Sequence, residues 1–325
     1  MTRVYITIDT EYSSGLCRGV GARDREDNFA RSVACKTTEG PRGVPYQLAL
    51  FAEYGIKAVF FVDPMPALVW GVAAIEDVVG PIVEAGQDVQ LHCHTEWLAA
   101  AGAANPLGIR ASGQNLYDFA FEDQLAILDY SRSTLMMAGA PAPVAFRAGN
   151  YGANDDTLRA LADLGIAYDS SHCPALPGAS RITLGPEARD PLHHAGVIEV
   201  PVGSIGELGG GQRHAQITAL TLAEMRAALR HAREQERESF TLVSHSFELI
   251  NRRTLAANRI VQRRLEGLCH TIASMKGLAS ATYASDPPKV APAASAPSPL
   301  LPPSAARTGW RYAEQFASNT LYGAL

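Results

Sequence analysis

The segment 88-DVQLHCHTEW-97 joins a short apolar run to two histidines and a glutamate. Its first five residues have the length and composition of a buried strand. Side chains alternate along an extended chain, so His92 and His94 point to one side and Cys93 to the other. We therefore expect Cys93 to be a small buried thiol. Polar side chains at the end of such a strand are typical of a parallel sheet with a functional site at its carboxyl edge.

The pattern of a strand followed by a helix repeats along most of the chain. The predicted strands cover 3–8, 56–62, 88–92, 144–147, 166–170, 197–202, 240–245 and 280–284. The helices between them have start and stop signals, including a Thr221–Glu224 capping box, an Asn154 cap and a terminal Gly55. Alternation of this kind predicts an α/β protein with a closed or nearly closed barrel of parallel strands.

Composition narrows the classes of function. The 325 residues are 47% hydrophobic and 19% charged, with a formal net charge of −5, as in ordinary globular proteins. No basic block or stripe is present, which excludes a typical nucleic-acid interface. No stretch approaches the ~18–20 apolar residues of a membrane span, and the chain enters a strand almost at once. We expect a cytoplasmic protein with five reduced cysteines; assembly into a homo-oligomer is left open.

Three regions are predicted along the chain. Residues 1–285 form the barrel domain, 286–308 a Pro/Ala/Ser-rich linker, and 309–325 a C-terminal tail that contains several aromatic residues. We expect the tail to be loosely ordered, with docking on the barrel or on a partner as the alternative. The segment from Asp9 to Arg42 is predicted to be a long functional loop.

Ionisable residues collect at the predicted strand ends, where mere packing would make them costly. The set comprises Asp9, Glu11, His92, His94, Arg147, Asp169 and His245. Two histidines and one carboxylate are a common ligand set for a catalytic zinc-like ion. An isolated His-x-His pair also fits two hydrogen-bonded histidines that line a cleft, but the other strand-end groups favour a metal site.

The order of these motifs resembles that of the polysaccharide deacetylases of carbohydrate esterase family 4, the NodB-homology family. The resemblance spans about residues 3 to 284. Its segments are 7-TIDTE-11, 57-KAVFFV-62, 86-GQDVQLHCHTEW-97, 147-RAGNYG-152, 154-NDDTLRALADLGIAYDSS-171 and 241-TLVSH-245. It implies a distorted (β/α)7 barrel and a metal-dependent hydrolase that removes an acetyl group from the nitrogen of an amino sugar.

Two departures from the family pattern mark a divergent subgroup with TIDTE and His-x-His motifs. Thr10 stands where the family has a metal-binding aspartate, and Glu11 is the nearest carboxylate that can replace it. Glu96 stands where the family has its second histidine, so His94 is the better candidate ligand. The subgroup looks more similar to members that act in surface-polysaccharide biosynthesis than to exported cell-wall enzymes.

The resemblance also implies roles for single residues. The expected ligands of the ion, most simply zinc, are Glu11, His92 and His94. Asp9 is the expected general base, and Arg147 pairs with it. A backbone N–H at Asn150 or Tyr151 would hold the oxyanion, and His245 would protonate the departing amine. The sequence does not decide which of Asp9 and Glu11 is the base and which is the ligand. Asp169 either supports His245 or is structural.

Other functions stay open from sequence. Members of the same superfamily also open cyclic amides and ureides by the same water chemistry. The altered motifs are compatible with a non-catalytic glycan-binding protein that has lost its ion. We expect a saccharide or small-amide substrate, such as a sugar nucleotide, a lipid-linked glycan precursor or a small metabolite, with no nucleic-acid partner.

Overall fold

The computed structural model describes residues 1–290 and 296–322. The strands are β1 (Thr2–Thr10), β2 (Lys36–Thr37), β3 (Gly40–Pro41), β4 (Val59–Val62), β5 (Asp88–Cys93), β6 (Ala145–Ala148), β7 (Tyr168–Asp169), β8 (Leu192–His194), β9 (Val197–Glu199), β10 (Ser204–Gly206), β11 (Gln212–His214), β12 (Ser239–His245) and β13 (Leu278–Ser280). The helices are α1 (Ala22–Ser32), α2 (Val44–Tyr54), α3 (Ala67–Trp70), α4 (Ala73–Glu84), α5 (Glu96–Ala101), α6 (Phe121–Met137), α7 (Asp155–Asp163), α8 (Leu222–Glu234), α9 (Arg259–Ser274) and α10 (Ala305–Tyr322).

Parallel strands form the main sheet in the order β12-β1-β4-β5-β6-β7-β9. The short β8 adds to its edge in the antiparallel sense, and β13 pairs with the start of β1. The predicted seven-unit β/α barrel is confirmed, because seven parallel strands follow one another with helices outside them. Strand ends of the same sense therefore meet at one rim.

The barrel is distorted where its two edges meet. β9 does not pair directly with β12. Instead, the chain after β9 bridges the gap, since Gly203 N–H donates to Thr241 O (3.0 Å) and Val243 N–H to Ala215 O (2.9 Å). The connection is thus made by an irregular segment rather than by a regular ladder.

Aromatic side chains fill the barrel interior. The ring of Tyr283 lies 5.3 Å from that of Tyr5, 5.8 Å from that of Phe61 and 5.6 Å from that of Tyr168, between ring centres. Alternation along β4 turns Phe61 inward and Phe60 toward the helices, so both faces of the strand are buried. The guanidinium of Arg147 lies 4.5 Å above the Phe61 ring, so a charged side chain of the rim packs directly on the aromatic interior.

Helix ends agree best with the sequence predictions, because they depend on local chemistry. The Asn154 side chain accepts a hydrogen bond from Thr157 N–H at 2.9 Å and begins α7. The Thr221–Glu224 capping box begins α8, and Gly55 ends α2 in the left-handed conformation.

Three segments differ from the sequence predictions. The expected loop from Asp9 to Arg42 contains α1 and the β2–β3 hairpin. α1 is strongly polar and its buried residues are Asn28 and Ser32, so no apolar face marks it in the sequence. The last strand is β13, two residues earlier than expected. The tail forms α10, which begins at Ala305 inside the predicted linker. The division at 285 and 308 stays a prediction, and the tail's last residues, 323–325, lie outside the described residues.

Within the described ranges, no helix has the length and apolar character needed to cross a bilayer.

Candidate metal and catalytic site

The predicted site residues meet in one pocket of about 210 Å³ at the carboxyl rim of the barrel. The parallel register explains this, since Asp9 lies opposite His245 and His92 opposite Arg147 on neighbouring strands. The pocket is lined by Asp9, Glu11, His92, His94, Ala148, Asn150, Tyr151, His245 and Phe247. Arg147 lies buried beside it, against Asp9.

Glu11, His92 and His94 bring three donor atoms together. Glu11 Oε2 lies 2.6 Å from His94 Nε2 and 3.3 Å from His92 Nε2. One ligand atom from each of the three residues lies within 4.8 Å of the other two. Glu11 Oε2 is buried and has no hydrogen-bond partner of normal geometry. An orphaned carboxylate oxygen facing two imidazole nitrogens is the donor set that a divalent ion such as zinc requires.

Each imidazole is held through its other ring nitrogen. His92 Nδ1 lies 2.6 Å from Arg147 O, so it donates to that carbonyl and leaves Nε2 free as a ligand. His94 Nδ1 lies 3.2 Å from Glu96 Oε2. Glu96 therefore lies on the outer side of His94, away from the converging donor atoms.

Gly149 makes room for the second imidazole. A Cβ atom at this position would lie 2.7 Å from His94 Nδ1 and 2.8 Å from Cys93 O, closer than real contacts allow. The glycine of 147-RAGNYG-152 thus permits the close packing of the loop after β6 on the end of β5. Cys93 is buried as predicted.

Asp9 and Arg147 form a buried ion pair, with Nη1 2.8 Å from Oδ1. Arg147 also donates to Thr7 Oγ1 (2.8 Å) and to Ser170 O and Oγ (3.1 Å each). Burial alone would raise the pKa of Asp9, but the charges of Arg147, His92 and His245, together with the Arg147 hydrogen bond, outweigh it and hold this pKa below its ordinary value. Asp9 is therefore an ionised and oriented carboxylate.

His245 lies between two carboxylates. Its Nε2 is 3.8 Å from Asp9 Oδ2, and its Nδ1 is 3.1 Å from Glu248 Oε1. Burial alone would lower the pKa of His245, but the hydrogen bond and charge of Glu248, with the charge of Asp9, raise it to about 9. The imidazole therefore carries a proton at neutral pH.

Asn150 and Tyr151 form a sharp bend after β6. Both have left-handed backbone angles, with φ of 55° and 58°, which costs energy in residues other than glycine and is common at functional sites. Asn150 Nδ2 donates to Glu96 Oε1 at 3.4 Å. Both residues line the pocket, so each stays a candidate for the backbone N–H that binds the oxyanion.

Sequence reasoning missed two acidic residues. Glu248 follows His245 by three residues, a spacing that offered a signal for a histidine partner. Asp63 directly follows β4, so the strand-end rule would have found it. It is buried, its Oδ1 accepts a hydrogen bond from Met65 N–H at 3.0 Å, and burial raises its pKa to about 6.

Asp169 does not support His245. Its carboxylate accepts hydrogen bonds from Ser171 N–H (2.9 Å) and Ser171 Oγ (2.8 Å). Of the two roles left open from sequence, the structural one fits this placement, because Glu248 occupies the position next to the imidazole.

Comparison with known proteins gives structural rather than sequence matches. No family model matches the chain, and no curated protein matches it in sequence. A candidate polysaccharide deacetylase from Mycobacterium smegmatis has 18% identity and a TM-score of 0.55, and the match covers 87% of this chain and 88% of that one.

Two further solved structures show lower similarity. A family 4 carbohydrate esterase from Streptomyces lividans, in complex with acetate, has 12% identity and a TM-score of 0.45, covering 93% of this chain and 98% of that one. The chitin deacetylase of Colletotrichum lindemuthianum has 11% identity and a TM-score of 0.44, covering 89% and 88%. The comparison of fold therefore rests on the Mycobacterium smegmatis structure. The resemblance expected from the motifs is confirmed at that level: this chain has the polysaccharide deacetylase fold.

Proposed function

We propose that the protein is a metal-dependent hydrolase of carbon–nitrogen amide bonds that removes an N-acetyl group from an amino-sugar-containing glycan or glycan precursor. One observation carries the proposal. The Glu11, His92 and His94 donor group shares a pocket with the Asp9–Arg147 pair and with His245. Amide hydrolysis needs an electrophile, a base and an acid, and this pocket offers a candidate for each.

The donor group is the proposed site of zinc or another divalent ion. When bound, such an ion polarises the amide carbonyl and lowers the pKa of a coordinated water. Glu11 and the two imidazole Nε2 atoms would hold it, while Arg147 O and Glu96 keep the rings oriented. Asp9 faces Arg147 instead, which supports Glu11 as the carboxylate ligand.

Asp9 acts as the general base in this scheme. Its carboxylate is ionised and fixed by Arg147 at 2.8 Å, so it is able to take a proton from the attacking water. The tetrahedral oxyanion is stabilised by a backbone N–H at Tyr151 or Asn150, in the bend that lines the pocket.

His245 acts as the general acid. An amine leaves an amide only when it is protonated, and the raised pKa of His245 supplies a proton near neutral pH. Glu248 fixes the ring through Nδ1, which turns Nε2 toward Asp9 and the pocket.

The cavities favour a saccharide over a single small ring. The metal pocket is about 210 Å³, enough for a reacting group. A second cavity of about 540 Å³ has Glu96, Arg18 and Gln114 in its wall, and Glu96 contacts His94 and Asn150 of the metal pocket. Because Glu96 contacts both His94 and Asn150, an extended substrate would fill the two cavities together. A cytoplasmic role in surface-polysaccharide synthesis, on a sugar nucleotide or lipid-linked precursor, belongs to the same proposal.

Metal analysis and an amine-release assay test this function. The purified protein is expected to retain a divalent ion and to release amine from N-acetyl sugars or nucleotide sugars, with loss of activity in Asp9→Asn. Turnover of cyclic amides or ureides alone would favour the related ring-opening hydrolases. A protein that takes up no divalent ion and releases no amine would contradict the proposal and favour the non-catalytic alternative, a glycan-binding protein.

A further inference from the structure

Helix α10 packs on the barrel domain through its polar side. All three of its charged residues face the domain or its linker: Arg311 pairs with Glu224 (2.7 Å) and Glu207 (2.9 Å), and Glu314 pairs with Arg264 (2.7 Å). Arg307 donates to Pro302 O at 2.7 Å. The helix is therefore anchored by ion pairs rather than by an apolar stripe.

The exposed half of α10 carries no charge and is rich in large apolar side chains. The exposed fractions are 60% for Trp310, 64% for Tyr312, 76% for Phe316 and 68% for Leu321. This reverses the usual arrangement, in which the apolar side of a surface helix faces the core. Large apolar side chains exposed together on one helix are typical of an interaction site.

Arginines border this apolar face. Trp310 lines a groove of about 540 Å³ together with Arg226 of α8 and Arg263 of α9. Both arginines are exposed, and among the described residues neither forms an ion pair, whereas Glu224 and Glu314 are already paired. The face is thus cationic in a chain with a net charge of −5.

We propose that the exposed half of α10 and its bordering arginines dock the protein on an anionic lipid surface. Aromatic and aliphatic side chains beside arginines are the pattern of helices that lie in a membrane interface. A second copy of the chain is disfavoured, because a two-fold interface places a patch against itself and brings like charges together. The inference does not depend on the hydrolytic activity.

The position of α10 relates this face to the catalytic pocket. Ser318 Oγ accepts a hydrogen bond from Asn258 Nδ2 at 3.2 Å, and the carbonyl of Tyr322 accepts one from Asn251. Both asparagines belong to the segment that follows His245. Docking through α10 would therefore bring the segment that follows His245 close to the lipid surface.

Vesicle cosedimentation of the full chain tests the proposal. We expect binding to phosphatidylcholine vesicles that contain phosphatidylglycerol, weaker binding at high salt, and little binding to phosphatidylcholine alone. Phe316→Asp should abolish binding. Met137→Asp, which places an aspartate at a 62% exposed apolar position on α6, should not. Arg226→Gln and Arg263→Gln should each weaken binding about fivefold, as for an arginine near an anionic surface.

Two outcomes would overturn the inference. One is no binding to the anionic vesicles, or equal effects of the two aspartate variants. The other is a dimer, seen by light scattering, that Phe316→Asp dissociates while the vesicles bind nothing. The arginine variants keep the test decisive if Phe316→Asp does not fold, because loss of salt-sensitive binding in them reports on the same face.

Discussion

Glu96→Ala and His94→Ala distinguish the ligand set of this chain from the family pattern. In the structure Glu96 contacts His94 through the outer ring nitrogen, Nδ1, at 3.2 Å. The other nitrogen of His94, Nε2, lies 2.6 Å from Glu11 Oε2. The two variants should therefore have very different affinities for zinc.

The expected magnitudes follow from these contacts. Loss of an outer partner of a metal ligand typically weakens metal binding about 10–100-fold. The Glu96 contact is long and partly exposed, which places Glu96→Ala at about tenfold, or about 1.4 kcal/mol. His94→Ala removes one of three donors and should weaken zinc binding by more than about 100-fold, beyond the range of an outer partner.

Competition with a zinc-chelating dye measures both affinities. Thermal unfolding of the metal-free variants shows that each still folds, and Glu122→Ala, an exposed acid on α6, is the control for loss of charge. Retention of zinc by His94→Ala together with its loss from Glu96→Ala would refute the assignment.

Three further changes test the surrounding groups. Glu248→Gln should move the alkaline limb of the pH–rate profile from about 9 to lower pH, because the proton of His245 is lost sooner; an unmoved limb contradicts its role as acid. Arg147→Met leaves a buried carboxylate unpaired and should lower the free energy of unfolding, measured with urea, by about 3–5 kcal/mol. The control Arg159→Met, at an exposed ion pair, should lower it by about 0.2–1 kcal/mol. Gly149→Ala should weaken zinc binding about 10–100-fold by displacing the adjacent imidazole, and unchanged affinity would show that the loop yields.

Strand and helix periodicity was enough to predict the barrel, because its signals are local. The closure of the barrel between Gly203 and Thr241 could not be predicted from the sequence, because it depends on a non-local backbone contact in an irregular segment. Helix α10 was missed for a related reason. Its ion pairs with Glu207, Glu224 and Arg264 involve residues far away in the chain.

The candidate site was predictable where side-chain alternation or strand position determines direction. That reasoning brought His92, His94 and Arg147 to one rim, as the structure does. It left Asp9 and Glu11 interchangeable, because both point to the same side of one strand. The pairing of Arg147 with Asp9, which only the three-dimensional arrangement reveals, supports the proposal that Glu11 is the ligand.

We infer that the two departures from the family motifs form one coordinated change. Thr10 is buried and its hydroxyl bonds back to Ile8 O, so this position turns away from the pocket. In the proposed ligand set, the acidic donor lies one residue later, at Glu11. The proposed second histidine lies two residues earlier, at His94, and Glu96, the first residue of α5, lies on the outer side of its imidazole. Glu11 Oε2 and His94 Nε2 then meet at 2.6 Å. Each shift alone would leave a donor without its counterpart, so the two are expected to occur together wherever this variant of the site is found.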